Sequence, residues 1–245
     1  MIQLEKVNLS IPVYTNETRM LKRALISSVT GGLIKRESSE LTSIKALNNI
    51  NCTIKRGDRV ALIGHNGSGK TTFLKLISGI YNQTSGTIKR DVKVYPMISK
   101  GFLTSPELSG YVAVKTFYLM VKNTKKGFSE YLEKIVDFSG IGDFIYLPIK
   151  TYSEGMNSRL LFTVLTSFTH DCLALDEGMG AGDSSFYEKA EKRMNYFIDG
   201  AGTLIFASHS ENLLHRFCKR GLVFDKGNIV FDGSLKEALE VYNAK

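Results

Sequence analysis

The chain has 245 residues, of which 43% are hydrophobic, and its formal net charge is +8. This length suits one large domain, or one core with an insertion, and the composition excludes a fibrous or disordered protein. The N-terminus has no signal-peptide pattern, no apolar run is long enough to span a membrane, and three widely spaced cysteines exclude a cysteine metal site and favour a reducing compartment.

The positive charge is concentrated near the N-terminus. Residues 1–60 contain ten Lys or Arg but only five Asp or Glu. This excess predicts an anionic neighbour, either nucleic acid or the cytoplasmic face of a membrane, although solubility alone would also account for it.

The first quarter of the chain predicts strands around a basic helix. A strand over residues 2–9 leads into a proline-containing turn at Tyr14. Residues 20–29 have apolar side chains at helical spacing with basic residues between them, which predicts a short amphipathic helix. Such a helix lies at a membrane surface or packs on its own domain, and both interpretations stay open. A polar stretch over residues 35–43 and a strand over residues 46–54 follow.

The segment GHNGSGKTT fits the phosphate-binding loop template G-x-x-x-x-G-K-[ST]. An apolar strand over residues 60–63 precedes it and a helix over about residues 70–78 follows, as the motif requires. Successive loop N–H groups would cradle phosphate oxygens, Lys70 would reach the β- and γ-phosphates, and the Thr71 hydroxyl would hold Mg²⁺. The predicted nucleotide ligands are Gly64, His65, Asn66, Gly67, Ser68, Gly69, Lys70, Thr71 and Thr72.

The middle of the chain changes from strands to helices. We predict short strands over residues 87–88 and 92–95, two amphipathic helices within residues 108–139, and a helix over residues 153–169. Because these helices interrupt the alternation of strands and helices, residues 97–170 are predicted to be a helical subdomain. It would be inserted into a core formed by residues 1–96 and 171–245.

The last third returns to α/β alternation. The predicted elements are strands over residues 172–175 and 203–207, a helix over residues 184–198, a strand–turn–strand unit around residues 226–228 and a helix over residues 235–242. The compact apolar strands predict a parallel sheet with crossover helices, buried on both faces.

Two acids and a histidine follow strands of this predicted sheet. In CLALDE, Asp176 and Glu177 come at the carboxyl end of an apolar strand, where ligands of open α/β sheets gather. Asp176 would hold Mg²⁺, and Glu177 would orient and deprotonate a water molecule. His209 follows residues 203–207 and could contact the γ-phosphate, although a lone histidine at a strand end is usually structural.

The segment YSEGM opens the third helix of the predicted insertion. Ser153 suits the N-cap position, and the N–H groups near Gly155 lie at the positive end of that helix. An ordinary capped helix would look the same. Since the phosphate-binding loop already cradles its own nucleotide, a second anion site would serve ATP bound to another subunit.

These motifs together resemble those of the nucleotide-binding subunit of ABC transporters, over nearly the whole chain. GHNGSGKT matches the Walker A loop, YSEGM the signature, CLALDE the Walker B strand, GAGD the D-loop and SHS the switch histidine. The chain also looks like the branch that exports polysaccharides such as O-antigen, capsule and teichoic acid. That narrower resemblance is carried by the long basic N-terminal segment, by PELSG, by Y-S-x-G-M and by D-E-x-x-x-x-G-D.

The resemblance implies an α/β P-loop NTPase of the ABC ATPase type, with a mostly parallel core sheet, an antiparallel β edge subdomain and the inserted helical subdomain. It also implies a head-to-tail dimer with two ATP molecules between the subunits. Ser153 and Gly155 would complete the partner's site, and Asp183 would link the two sites. The basic segment over residues 15–43 would resemble a gate, and Tyr14 would stack on adenine.

The chain departs from the family pattern at three positions. Met97 stands in the closest register to the usual Gln or Glu that enters the helical subdomain, so that ligand stays unnamed. Ile11 competes with Tyr14 for the adenine position. Glu154 replaces the first glycine of the signature.

The resemblance therefore implies an ATPase that uses ATP and Mg²⁺ and is bound peripherally at the cytoplasmic face of the inner membrane. Its partners would be a second copy of itself and a transmembrane permease through which a lipid-linked polysaccharide passes, and no nucleic acid is expected. The alternatives are an ABC ATPase that energises another export, or a soluble ABC-type ATPase that acts on nucleic acid or ribosomes. A small-molecule kinase would not need YSEGM, and a non-catalytic scaffold would not need Lys70, Asp176 and Glu177.

Overall fold

The computed structural model describes residues 1–13, 34–37, 41–97, 105–176 and 184–244. By its contacts the chain forms two compact units. The core unit comprises Met1–Pro96, Asp171–Leu175 and Gly202–Lys245, and the helical unit comprises Met97–His170 and Asp176–Ala201. Residues 176–201, which the sequence assigned to the core, group with the helical unit by these contacts.

Strands and α-helices are both spread over the described ranges. The strands are Ile2–Val13 (β1), Ile34–Glu37 (β2), Leu41–Ile54 (β3), Arg59–Ile63 (β4), Ser85–Arg90 (β5), Val94–Met97 (β6), Cys172–Asp176 (β7), Thr203–Ala207 (β8), Arg220–Asp225 (β9) and Asn228–Ser234 (β10). The α-helices are Lys70–Ile77 (α1), Gly110–Lys122 (α2), Phe128–Ser139 (α3), Glu154–Leu165 (α4), Ser184–Asp199 (α5), Glu211–Phe217 (α6) and Leu235–Asn243 (α7). Short 3₁₀ helices cover Gly142–Tyr146 and Ile149–Thr151.

The core unit contains an antiparallel sheet with the strand order β2-β3-β1-β5. The sequence predicted that the first strand ends at residue 9 and that a turn follows. This strand end is wrong, because β1 continues to Val13 and Pro12 pairs with Ser43 of β3. A proline fits there because the pairing of β1 with β5 ends at Asn8, so the missing N–H interrupts no second ladder.

Parts of the polar stretch over residues 35–43 lie in strands, because residues 35–37 belong to β2 and residues 41–43 belong to β3. Ile34 pairs with Ile44 and Glu37 pairs with Leu41, so β2 and the start of β3 form a ladder. Backbone pairing holds these polar residues in strands, although their side chains do not alternate in hydrophobicity.

The second sheet has six strands in the order β10-β9-β4-β8-β7-β6. β4 is parallel to both of its neighbours, β8 and β9, while β10 pairs antiparallel with β9. Val60–Ile63 and all of β8 are buried, as expected of strands that are covered on both faces. The predicted α/β core with parallel strands and a separate antiparallel sheet is confirmed.

An ionic cluster ties β9 and β10 to the residue before β4. The Arg220 guanidinium donates to both carboxylate oxygens of Asp232, at 2.7 and 2.6 Å, and to Asp58 Oδ2 at 3.0 Å. The charge-assisted hydrogen bond to Asp232 raises the pKa of Arg220, so the guanidinium stays charged at every physiological pH. Asp58 is next to Arg59, so the cluster fixes the end of β4 opposite the phosphate-binding loop.

The three cysteines are buried and have no disulfide partner. Burial raises the pKa of Cys52 and of Cys218 to about 12, and that of Cys172 to about 11. The thiols therefore stay protonated and behave as small apolar side chains rather than as nucleophiles.

The helical unit is held together by aromatic packing. Phe162 of α4 packs edge-to-face on Phe186 of α5, whose ring does the same against Phe138 of α3. The Arg193 guanidinium lies 4.1 Å from the centroid of the Phe138 ring and donates to Thr166 Oγ1 at 2.8 Å. This cation–π contact and hydrogen bond join α3, α4 and α5.

The basic helix predicted over residues 20–29 lies outside the described residues, as does most of the predicted gate segment. Among the helices that are described, none is long and apolar enough to cross a membrane.

Candidate phosphate-binding site

The phosphate-binding loop joins β4, which ends at Ile63, to α1, which begins at Lys70. Gly69 is the N-cap of α1; the helix start has no side-chain cap and no acidic residue in its first turn. The first N–H groups of a helix carry a partial positive charge and need partners. No side chain at this helix start competes for them, so they suit an anion.

Two glycines give this loop a shape that other residues could not adopt. Gly64 has a φ of +152°, and a Cβ placed on it would lie 2.5 Å from the Phe224 carbonyl oxygen and 2.7 Å from Ser68 Oγ. Gly69 has a φ of +111°, and its Cβ would lie 3.1 Å from the Leu47 side chain. The loop is therefore packed against β9 on one side and β3 on the other. The Phe224 carbonyl leaves no room for a Cβ at position 64, and the positive φ favours glycine at position 69.

Lys70 is only 8% exposed, although it is a lysine. Its Nζ donates to the Gly64 carbonyl oxygen and, at 3.1 Å, to the His65 carbonyl oxygen. A buried ammonium group is costly unless hydrogen bonds satisfy it. The loop carbonyl groups thus fix the Lys70 ammonium group within the loop, where it would attract a phosphate group.

Ser68 provides a test of whether the loop fits a phosphate. Its Oγ is buried and has no hydrogen-bond partner among the described residues. Leaving a hydroxyl in this state costs about 1–3 kcal/mol. A phosphate oxygen would accept its hydrogen bond, so the loop fits the triphosphate that the sequence predicts.

The predicted switch histidine is brought to the same loop. His209, which follows β8, has its Nε2 at 3.1 Å from Asn66 Oδ1, and both side chains are exposed. His65 lies on Tyr242 of α7, with ring centroids 5.0 Å apart, and its Nδ1 is 3.2 Å from the Tyr242 hydroxyl. Within the core unit, His209 therefore contacts the phosphate-binding loop through Asn66. Tyr242 contacts the loop through His65, and this residue was not among those predicted from the sequence.

Thr71 and Thr72 occupy the first turn of α1, where Thr71 is exposed and Thr72 is half-buried. Asp176 is the half-buried last residue of β7 and follows four buried residues. Hydroxyl and carboxylate oxygens are ligands that Mg²⁺ takes together with substrate phosphates and water, so the donor types of Thr71 and Asp176 fit that ion. Glu177, Asp183 and Tyr14 lie outside the described residues.

The structure describes two positions at which the sequence departs from the family pattern, Ile11 and Met97. Ile11, the competitor of Tyr14, is half-buried in β1 and paired with Ile44. Met97 ends β6 and is 2% exposed, and a thioether is a poor ligand for a hard cation such as Mg²⁺.

The helical unit presents the predicted second anion site at the start of α4. Ser153 is the N-cap, and its Oγ accepts a hydrogen bond from Met156 N at 3.2 Å. Ser153 and Glu154 are exposed, and Gly155 is half-exposed. A Cβ on Gly155 would meet only Ser153 Oγ, at 4.0 Å, and its φ is not positive. Among the residues that the structure describes, none therefore requires glycine at position 155.

Residues 226–228 lie at the turn that the sequence predicts, and they also contact the phosphate-binding loop, which the sequence did not predict. The Gly227 N–H donates to the Ser68 carbonyl oxygen at 2.9 Å, and the Gly227 carbonyl oxygen accepts from Asn48 N at 2.8 Å. A two-residue turn that contains glycine predicts a hairpin, but it carries no signal for the neighbour that the hairpin meets.

Comparisons with known proteins agree with this geometry. The profile of the family described as ABC transporter matches residues 47–180. The O-antigen export system ATP-binding protein RfbE of Yersinia enterocolitica is 39% identical over 228 residues, which cover 91% of this chain and 95% of that protein. The teichoic acids export ATP-binding protein TagH of Bacillus anthracis is 36% identical over 201 residues, covering 81% of this chain but only 36% of that protein.

A solved structure shares the fold. It is the dimeric structure of a post-hydrolysis state of the ATP-binding cassette MJ0796 bound to ADP and Pi, and the similarity has a TM-score of 0.67. The match covers 96% of this chain and 99% of that chain. Because the sequence identity is 19%, the match supports the fold alone.

Proposed function

The chain belongs to the ABC transporter family, and from this premise we propose that it is the ATP-hydrolysing subunit of an exporter for a lipid-linked, O-antigen-like polysaccharide. The enzymatic activity of the chain is ATP hydrolysis. The observation that carries the proposal is the buried Lys70 ammonium, held by carbonyl groups of a loop whose Ser68 hydroxyl also needs a partner. The exported substrate is proposed from the likeness to RfbE over 95% of that relative's length.

ATP binds through its phosphates. The loop N–H groups and Lys70 orient the triphosphate, and the start of α1 favours its negative charge. Mg²⁺, with Thr71 and Asp176 as its predicted ligands, would neutralise charge on the β- and γ-phosphate oxygens. Glu177 would accept a proton from the attacking water, and His209, whose ring nitrogen lies beside Asn66, would contact the γ-phosphate.

Each ATP would be gripped by two copies of the chain. Ser153 and Gly155 of one copy would face the γ-phosphate bound in the loop of the other, and Asp183 would link the two sites. The support lies at α4, where an exposed serine and the positive end of a helix occur with a glycine that no described residue crowds. The requirement for a small residue at position 155 then comes from outside the chain.

The permease is proposed as a separate membrane partner. The chain would sit peripherally at the cytoplasmic face of the membrane, and the polysaccharide would pass through the permease. In this arrangement the basic segment over residues 15–43 would act as a gate beside the membrane, and nucleic acid would have no part. O-antigen and teichoic acids both occur in the names of the relatives, so export of a different substrate is the competing proposal.

The proposal is tested in the host cell by replacing Lys70 with Ala. We expect the lipid-linked polymer to accumulate on the cytoplasmic side and to disappear from the cell surface. Lys75→Ala, on the same helix but in its last turn, is the matched control and should export normally. Normal surface polysaccharide in the Lys70→Ala strain, together with the loss of another exported product, would favour the competing substrate.

A further inference from the structure

A two-residue turn over Lys226 and Gly227 links β9 to β10 and touches the phosphate-binding loop. Both residues have a positive φ, +45° and +78°, as a type I′ turn requires. The Gly227 N–H donates to the Ser68 carbonyl oxygen, and the Gly227 carbonyl oxygen accepts from Asn48 N of β3. One residue therefore joins the antiparallel sheet to the loop that binds ATP.

The hydrogen bond to Ser68 determines how one peptide group of the loop is oriented. In a trans peptide the carbonyl group and the following N–H point in opposite directions. Because the Ser68 carbonyl points at the turn, the Gly69 N–H points away from it. We propose that Gly227 is a positioning residue for ATP: by holding the Ser68 carbonyl outward, it directs the Gly69 N–H towards the phosphates.

The packing around the turn leaves little room for the loop to compensate. A Cβ on Gly227 would lie 2.7 Å from the Ala46 carbonyl oxygen of β3. A Cβ on Gly69 would lie 3.1 Å from Leu47 and 3.5 Å from the Gly227 Cα. β3, the turn and the loop are thus in mutual contact, so a shift of the turn displaces the loop.

Two asparagine side chains brace the turn. Asn48 Nδ2 donates to Asn228 Oδ1 at 2.9 Å, and Asn228 Nδ2 donates to the Lys226 carbonyl oxygen at 3.0 Å. These bonds fix the direction of the Gly227 peptide relative to β3. The positioning role depends on the loop being the ATP site and not on which polymer is exported.

The most direct test places glycolic acid at position 227, so that an ester replaces the amide; this removes the N–H and adds no side chain. Ligation at Cys218 gives the full chain with a synthetic segment over residues 218–245, so no other residue changes. We expect the affinity for MgATP to fall roughly three- to tenfold, as one hydrogen bond of this kind allows. The measurements are calorimetric ATP binding and the unfolding midpoint.

The matched control is an ester at Leu235, just beyond the other end of β10. Its N–H donates to the Lys219 carbonyl oxygen at 3.0 Å, so it loses a backbone bond of similar length away from the loop. The control should lower the unfolding midpoint but leave ATP affinity unchanged. Wild-type affinity in the Gly227 ester, or equal weakening by both esters, overturns the positioning role. An unmodified chain that fails to bind MgATP overturns the ATP site as well.

A pair of point variants gives a second test that needs no synthesis. Gly227→Ala places a methyl group against the Ala46 carbonyl, whereas Gly57→Ala has a similar φ of +85° but meets no atom within 4 Å. Both variants bear the strain of a positive φ, and the clash with Ala46 adds to it at position 227, so the unfolding midpoint should fall in both and further in Gly227→Ala. ATP affinity should fall at least about tenfold for Gly227→Ala only. A loss of affinity that merely follows the unfolding midpoint in both variants contradicts the proposal.

Discussion

The two helix starts that we propose to bind phosphate differ in how they are built. At α1, glycine occupies the N-cap, no acid lies in the first turn, and the Lys70 ammonium group is buried within the loop. At α4, the Ser153 side chain caps the helix, Glu154 lies in the first turn, and Ser153 and Glu154 are exposed to solvent.

This difference divides the two proposed sites into a complete site at α1 and a partial site at α4. The loop before α1 folds around its ligand position and supplies donors and a cation from one chain. The start of α4 satisfies one of its own N–H groups with Ser153 and faces solvent, so it offers only a partial site. A phosphate held at α4 needs further contacts, and the loop of a second copy would supply them.

The largest expected effect separates binding from hydrolysis. Glu177→Gln should keep ATP affinity but lower turnover by about 10²- to 10⁴-fold, because the general base is lost. It should also accumulate as an ATP-bound dimer in which the two helix starts meet, which size-exclusion chromatography detects. Glu188→Gln, an exposed acid on α5, is the control. Unchanged hydrolysis in Glu177→Gln would contradict the assignment of the base.

The next largest effect is expected when the Lys70 ammonium group is removed from the proposed complete site at α1. Lys70→Ala should weaken ATP binding by about 10- to 100-fold, because charge-assisted hydrogen bonds to phosphate are lost. The binding is measured by calorimetry beside Lys75→Ala, which removes a lysine from the last turn of the same helix. Equal affinities in the two variants would mean that the loop does not hold the triphosphate.

A smaller effect is expected at the partial site. Ser153→Ala should cost about 1 kcal/mol of stability and lower hydrolysis about fivefold, while ATP binding by the monomer stays unchanged. Ser109→Ala is closely matched, because Ser109 caps α2 by accepting from Val112 N at 3.3 Å. It should lose similar stability but keep full hydrolysis. A parallel loss of activity in both variants would reduce Ser153 to an ordinary cap.

The smallest effect concerns Glu154. Its carboxylate would approach the phosphates of the partner's ATP, so Glu154→Gln should tighten the ATP-dependent dimer about twofold at low salt. The gain should vanish at high ionic strength, where exposed charges are screened. Dimerisation measured by light scattering across a salt series tests this, and a gain that persists in high salt would exclude electrostatic repulsion.

The parts of the site that are local in sequence were predictable. The template from Gly64 to Thr71 and the cap at Ser153 each involve residues within one turn or loop, so spacing alone identifies them. The hairpin of β2 and β3 was not predictable, because its polar residues are held by pairing rather than by a hydrophobic pattern. The contact of Gly227 with Ser68 was missed for a related reason: it joins backbone atoms far apart in the sequence, and no side chain marks it.

The sharing of each ATP between two copies is tested most directly by mixing two inactive variants, Lys70→Ala and Gly155→Asp, and measuring ATP hydrolysis. In a head-to-tail dimer the mixed pair contains one intact site, made of the unaltered loop of one chain and the unaltered α4 start of the other. Random pairing should therefore restore roughly a quarter of the wild-type sites. If each chain forms its site alone, every site in the mixture carries one of the two changes, and hydrolysis would stay at the level of the separate variants.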